Sequence, residues 1–249
     1  MCSSDLYGAS PGKPFLFMVP TSGERPMRFT AEGLPEGLAI DSERGIITGV
    51  AESAGTYEVK ISATNAHGTD RQTLRIVLGD TLALTPHMGW NSWYVWETHV
   101  TDEIMRAAAE AMISSGMAQH GYQFVNIDDC WAVKPGSDNP AYSGEPRDAG
   151  GKVNANPRFP DMNALTDFVH AKGLKAGIYT SPGPLTCAGF VGAWEHEQLD
   201  AERFAEWGFD FLKYDWCSYG RIAKDSSLEE LQKPRSEERR VGKECRSRW

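Results

Sequence analysis

Two stretches, FVNIDDCW at residues 124–131 and FLKYDWC at residues 211–217, decide how this chain is read. Each starts as a hydrophobic or β-branched run suited to a buried strand, then turns at once to acidic residues that a core does not accept unpaired. Acid placed directly after a buried strand marks a site. Taken singly, Asp128, Asp129 or Asp215 reads as a strand-end cap or a turn former. Two such strands in one chain shift the balance towards chemistry.

Working outward, the segments around these strands repeat one pattern. Thr101 or a neighbour can cap a helix through Asp102, Glu103, Ile104, Ala108, Ala111 and Met112, with Gly116 as its stop. The strand at 123–129 follows. Asp161 opens a second helix with Leu165, Phe168 and Val169 on one face, Gly173 ends it, and 175–180 is the next strand. A third helix at 199–207 stops at Gly208, before the strand at 211–215. With an earlier strand at 88–93 this gives consecutive β/α units, hence a doubly wound sheet or a TIM-type barrel. The barrel is preferred, because Trp93, Asp128 with Asp129, Tyr179, and Lys213 with Asp215 all fall at the C-terminal ends of successive strands, where barrel loops build active sites. No GxGxxG or GxxxxGK[ST] loop competes as a nucleotide site. The loop at 131–159 is long and rich in Gly, Pro, Asn and Asp, as suits a rim over a site.

Upstream the period differs. From 15 to 78 the pattern is all-β: Tyr57, Val59, Ile61 and Ala63 alternate with polar residues, as do Leu74, Ile76 and Leu78, and glycines punctuate short strands. This predicts a small sandwich at 15–79, whose role is spacer, packing partner or glycan binder.

At 249 residues, 41% hydrophobic and 24% charged, the chain can bury a sizeable core. Its net charge of -9 argues against nucleic acid and anionic membrane as partners, since both call for clustered basic residues. No run reaches the roughly 18 apolar residues of a membrane span, and no signal peptide opens the chain. The five cysteines, Cys2, Cys130, Cys187, Cys217 and Cys245, form no CxxC pair, so a zinc ribbon is not expected.

The region 82–219 resembles glycoside hydrolase family 27, the α-galactosidase family. The resemblance rests on five ordered motifs: TPHMGWNSW at 85–93, NIDDCW at 126–131, NPRFPDM at 156–162, HAKGLKAGIYTSPGPLTCAG at 170–189, and WGFDFLKYDWC at 207–217. The stretch at 34–68 resembles the immunoglobulin-like modules found beside secreted carbohydrate enzymes. The fold implied is the first half of a TIM (β/α)8 barrel at 80–235, preceded by a small all-β immunoglobulin-like sandwich. The function implied is a retaining α-galactosidase acting on galactose-containing oligosaccharides or polysaccharides, with no cofactor and no metal. In that mechanism one carboxylate attacks the anomeric carbon while a second carboxyl, about 5 Å away, protonates the leaving oxygen.

By resemblance Asp215 is the nucleophile, and Lys213, two residues away on the same strand face, would favour its ionised form. A structural ion pair accounts for Lys213 and Asp215 equally well. Asp128 and Asp129 match binders of galactose hydroxyls; both reach one sugar only if the strand has ended by Asp129, and otherwise one faces the ligand while the other caps a helix. Trp93 matches an aromatic wall, Tyr179 a site hydroxyl and Lys213 a hydroxyl donor, while Trp90 is read as packing. Cys187 and Cys217 match a disulfide that shapes the pocket, and Cys187 is counted with the substrate-binding residues; that pairing and the family imply a secreted or periplasmic protein. The cysteine that some members carry shortly after the first strand is replaced here by YVWETH at 94–99, so Cys130 is expected to be unpaired.

Related activities keep their place beside this reading: α-N-acetylgalactosaminidase, β-L-arabinopyranosidase, a non-catalytic glycan-binding protein, and a divalent-metal hydrolase using Asp128, Asp129 and Asp215 as oxygen ligands. Only four barrel strands are visible, so the expectation is an incomplete copy with no assignable acid/base, poor stability and no turnover. Residues 1–14 read as a disordered or non-native start. Residues 236–249, SEERRVGKECRSRW, carry five Arg and Lys with no apolar period, and with MCSSDL they resemble translated adapter sequence. The oligomeric state is left open.

Overall fold

The computed structural model describes residues 5–79, 84 and 86–222. The proposed non-native tail at 236–249 lies outside them. Within the described residues two compact units result: one of 5–79, 84, 86–89, 110–123 and 170–174, the other of 90–109, 124–169 and 175–222.

The first unit is a sandwich. One sheet runs β1 (Leu6–Ala9), β7 (Gly68–Leu78), β6 (Gly55–Asn65), β3 (Arg28–Glu32); the other runs β2 (Pro14–Met18), β5 (Ile46–Val50), β4 (Leu38–Ile40). The alternation in β6 and β7 turns Val59, Ile61, Leu74, Ile76 and Leu78 inward, where they meet Phe15, Phe17, Phe29 and Ile47 in one buried core. Asn65 makes the β6–β7 turn by accepting the His67 amide at 2.9 Å. Gly37 and Gly49 serve a close approach: a Cβ on Gly49 would stand 2.0 Å from the Gly37 carbonyl oxygen, and both residues hold positive φ.

The sandwich begins earlier than the sequence predicts. Leu6–Ala9, placed in the disordered start, is a strand paired in parallel with β7, Leu6 opposite Arg75. Buried Tyr7 packs edge-on to Phe15 and Phe17 at 5.1 and 4.9 Å, and its hydroxyl donates to the Leu16 carbonyl at 2.7 Å. Four residues are too short to display a period.

The second unit is built on a parallel β/α sheet of order β11 (Phe211–Tyr214), β10 (Lys175–Thr180), β9 (Phe124–Asn126), β8 (Gly89–Asn91). Registers of Gly177 opposite both Asn126 and Phe211, and of Tyr179 opposite Lys213, align the strand ends. The helices follow the predicted signals. In α2 (Asp102–Ser114) the Thr101 hydroxyl accepts the Ile104 amide; in α3 (Met162–His170) the Asp161 carboxylate accepts the Ala164 amide; α4 (Glu197–Glu206) stops before Gly208 at φ 86°. The short helices α1 (Trp93–Trp96) and α5 (Tyr219–Ile222) follow β8 and β11. Among the described residues no helix is long and apolar enough to cross a membrane.

The rim loop after β9 is tied down inside this unit. Arg147 makes two hydrogen bonds to Asp200 of α4, at 2.5 and 3.0 Å, and donates to the carbonyls of Gly151 and Gly192. Asn156, buried, donates to the carbonyls of Cys130 and Ala132 and accepts the Arg158 amide, so one side chain holds three points of the loop.

Candidate active site

β9 ends at Asn126 and β11 at Tyr214, one or two residues before their acids. One further bond continues each pairing, Ile127 amide to Gly177 carbonyl and Asp215 amide to Thr180 carbonyl, before the backbone turns away. With the strand already over, Asp128 and Asp129 are no longer forced to opposite faces.

Asp128 is 3% exposed and held from three sides. Its Oδ1 accepts the Asp129 amide at 2.9 Å; its Oδ2 accepts Asn91 Nδ2 and Lys213 Nζ, each at 2.7 Å. Asp129 is 2% exposed. Its Oδ1 accepts the Cys130 amide and the Thr186 hydroxyl, each at 2.7 Å, and its Oδ2 accepts the Ala188 amide at 2.9 Å. A carboxylate offers about four acceptor positions, so each aspartate keeps one open. Burial pushes the Asp129 carboxyl up; the bonds from Thr186, Ala188 and Cys130 oppose it, while the neighbouring Asp128 charge adds to it.

Asp215 is held more loosely. It is half-buried, its Oδ1 accepts the Trp216 amide at 2.8 Å, and its Oδ2 accepts the Tyr179 hydroxyl at 3.3 Å. Two acceptor positions stay open. Burial first, and then the charges of Asp129 and Asp215, drive the Tyr179 phenol far above its ordinary range, so it remains a neutral donor. Lys213 Nζ lies 5.1 Å from the Tyr179 ring centroid.

The partner of Lys213 is a correction. The i, i+2 spacing suggested Asp215, but the ammonium pairs with Asp128, which follows a strand two places away in the sheet. Residues on one strand share a face, but a long side chain reaches across the sheet as easily as along the strand.

Trp93 stands at the start of α1, half-buried, its amide donated to Asn91 Oδ1 at 2.9 Å. Tyr94 beside it is 90% exposed and Trp96 41%. Cys187 and Cys217 form a disulfide with Cα atoms 5.0 Å apart, and the Tyr179 hydroxyl lies 3.6 Å from Cys217 Sγ. Cys130 is free, as expected, and it is buried, its thiol pushed up to about 12 by burial and then by Asp129. Trp131, left unassigned from sequence, is core: it is 2% exposed and donates its indole hydrogen to the Tyr179 carbonyl at 2.7 Å.

Three further residues complete the site beyond those the sequence marks. Asn91 clamps Asp128 and the Trp93 amide together, Ser92 accepts the Asp128 amide at 3.0 Å, and Thr186 holds Asp129. The available signal was small polar residues inside GWNSW and PLTCAG, which a buried strand end does not carry without a partner.

Among the described residues, the metal-competent grouping is Cys187, Asp215 and Cys217, within 4.8 Å of one another. Its two sulfurs are bonded to each other and are not thiolate ligands. Asp128, Asp129 and Asp215 do not converge as an oxygen cage.

The family model described as alpha galactosidase A matches residues 85–233, and an Ig-domain model matches 3–79. The chain is 49% identical over 138 residues to "Alpha-galactosidase A" of Cellvibrio japonicus, covering 55% of this chain and 31% of that protein. It is 42% identical over 159 residues to "Alpha-galactosidase" of Coffea arabica, covering 63% of this chain and 39% of that one. The crystal structure of a Bacteroides fragilis protein assigned to the α-galactosidases superposes with a TM-score of 0.66 at 40% identity, covering 96% of this chain and 48% of its own. The chain thus spans about a third of the curated relatives' length and about half of that structure.

Proposed function

Starting from a chain that belongs to the alpha galactosidase A family, its match spanning residues 85–233, we propose that the site serves hydrolysis of terminal α-linked galactose by a retaining mechanism. The observation that carries the reading is the difference in how the three carboxylates are held. Asp128 and Asp129, rigid and nearly saturated by protein donors, each offer one acceptor to a sugar hydroxyl. Such fixed acceptors suit recognition of a particular hydroxyl pattern, because an epimer leaves one of them buried and unpaired. Asp215, with two positions open and a neutral phenol donating to its other oxygen, suits attack on carbon.

In this mechanism an Asp215 oxygen bonds to the anomeric carbon as the glycosidic bond breaks, and the leaving oxygen takes a proton from a carboxyl that the resemblance puts in the second half of the barrel. Water then displaces the carboxylate, and two inversions retain the configuration. Tyr179 keeps Asp215 aligned, Trp93 offers its ring to the sugar face, and Lys213 neutralises Asp128 while presenting a donor at the pocket. The Cys187–Cys217 disulfide supports a secreted or periplasmic setting.

The test, made on a chain that carries the whole barrel, is cleavage of p-nitrophenyl α-D-galactopyranoside beside Asp215→Asn, together with covalent labelling by an activated 5-fluoro-α-galactosyl fluoride, whose leaving group requires no acid. Labelling of the peptide containing Asp215, lost in the variant, is the expected result. Labelling elsewhere, or turnover that survives Asp215→Asn, removes the nucleophile assignment.

A further inference from the structure

We propose that Thr186 is a positioning residue for Asp129, fixing which carboxylate oxygen is presented to the sugar and so contributing to selection among hexopyranosides. This rests on the reading of Asp129 as a sugar-hydroxyl acceptor. Thr186 itself is buried and spends its hydroxyl within the protein: the hydrogen goes to Asp129 Oδ1 at 2.7 Å, and the oxygen accepts the Phe190 amide at 3.0 Å. The surrounding loop is a tight, self-bonded turn. Leu185 bridges Val191, the Thr186 amide meets the Phe190 carbonyl at 2.8 Å, and the Gly189 amide meets the Thr186 carbonyl at 3.0 Å, with Gly189 at φ 82°.

This turn aims two donors at one carboxylate, Thr186 at Oδ1 and the Ala188 amide at Oδ2, while the Cys130 amide completes Oδ1. Oδ1 is therefore closed to ligand and one position on Oδ2 is open. Without the threonine hydroxyl, Oδ1 regains a buried unpaired position and the carboxylate loses the bond that opposes its rotation. The titratable groups that interact with Asp129 include Asp128, Cys130 and Tyr179 of β10; next to Cys130 stand Lys134, whose Nζ donates to the Ala188 carbonyl at 3.0 Å, and Arg158, whose guanidinium donates to the Cys130 carbonyl. None of these cations bonds Asp129 directly, so the Thr186, Ala188 and Cys130 donors are what favours its ionised form against burial.

The experiment measures binding of methyl α-D-galactopyranoside by titration calorimetry from about pH 4 to pH 8, alongside the carbon-13 titration of the Asp129 carboxyl without sugar. Wild type is compared with Thr186→Val, Thr186→Ala and Thr186→Ser. Removing a hydrogen bond to a buried charge is expected to weaken binding by about ten- to a hundredfold in the Val and Ala variants. The same variants move both the acid limit of binding and the Asp129 titration to higher pH, and Ser restores both. A folded Val or Ala variant with unchanged Asp129 titration overturns the proposal. If wild type binds no galactoside while the titration shifts as described, the functional reading falls and the role of Thr186 in holding Asp129 stands.

Discussion

Arg147→Met removes the guanidinium that fastens the rim loop to α4, and its cost can be worked from the geometry. The Arg147 side chain is 14% exposed and its partner Asp200 1%, so solvent cannot replace the lost cation. Both Asp200 oxygens lose their arginine donors, and the carbonyls of Gly151 and Gly192 each lose a donor. Stranding one member of a buried pair costs about 3–5 kcal/mol, a large part of the roughly 5–15 kcal/mol that holds an ordinary domain together. With a urea slope of about 2 kcal/mol/M, the unfolding midpoint read by tryptophan fluorescence falls by about 1.5–2.5 M.

The pH dependence has a definite sign. Burial already pushes the Asp200 carboxyl up, against the pull of Arg147 and a weaker one from His196. Removing Arg147 raises it further, so above the unfolded carboxylate range the variant carries an unfavourable buried charge. As pH falls, Asp200 takes up a proton in the folded state and the deficit shrinks. Arg147→Met with Asp200→Asn should likewise recover much of the loss. A deficit below about 1 kcal/mol, or one equal at pH 5 and pH 7.5, refutes the account.

Lys213→Met leaves Asp128 buried without its cation, but Lys213 is 43% exposed, which discounts the loss to about 1–2 kcal/mol; galactoside binding by calorimetry should weaken about tenfold. In a chain that carries the whole barrel, Tyr179→Phe removes the donor to Asp215 and is expected to lower kcat/KM on an aryl galactoside about tenfold, leaving the alkaline limb in place because the phenol does not ionise there. Opening the Cys187–Cys217 bridge, which spans 30 residues, by Cys→Ala at both positions should cost about 3–4 kcal/mol on the chain-entropy estimate and appear as a lower melting temperature, matched in wild type by added reductant. Gly177→Ala puts a Cβ 1.9 Å from Asn126 Oδ1 and 3.1 Å from the Phe211 ring, so circular dichroism should reveal a misfolded or strongly destabilised chain; a native-like melt would contradict the packing of β10 between its neighbours.

Much of the site was legible because its signals are local. A buried strand followed by acid announces itself in FVNIDDCW and FLKYDWC, Gly116, Gly173 and Gly208 stop the elements that precede each strand, and Thr101 and Asp161 start helices with their own side chains. Family resemblance added the cysteine pair, Cys187 with Cys217, which joins segments 30 residues apart.

What stayed hidden depends on pairings between distant segments. Parallel pairing of Leu6–Ala9 with β7 leaves no period in four residues, and nothing in KYD says that Lys213 turns to Asp128 instead of Asp215. Likewise Thr186 carries no mark of its bond to Asp129, 57 positions away. By itself the sequence determined which residues end strands and which carry charge, because backbone preference and burial act over a few neighbours. Only the tertiary structure decided which lone pair of each carboxylate is closed and which is open, because hydrogen bonds depend on where donors from other segments stand to within a few tenths of an ångström.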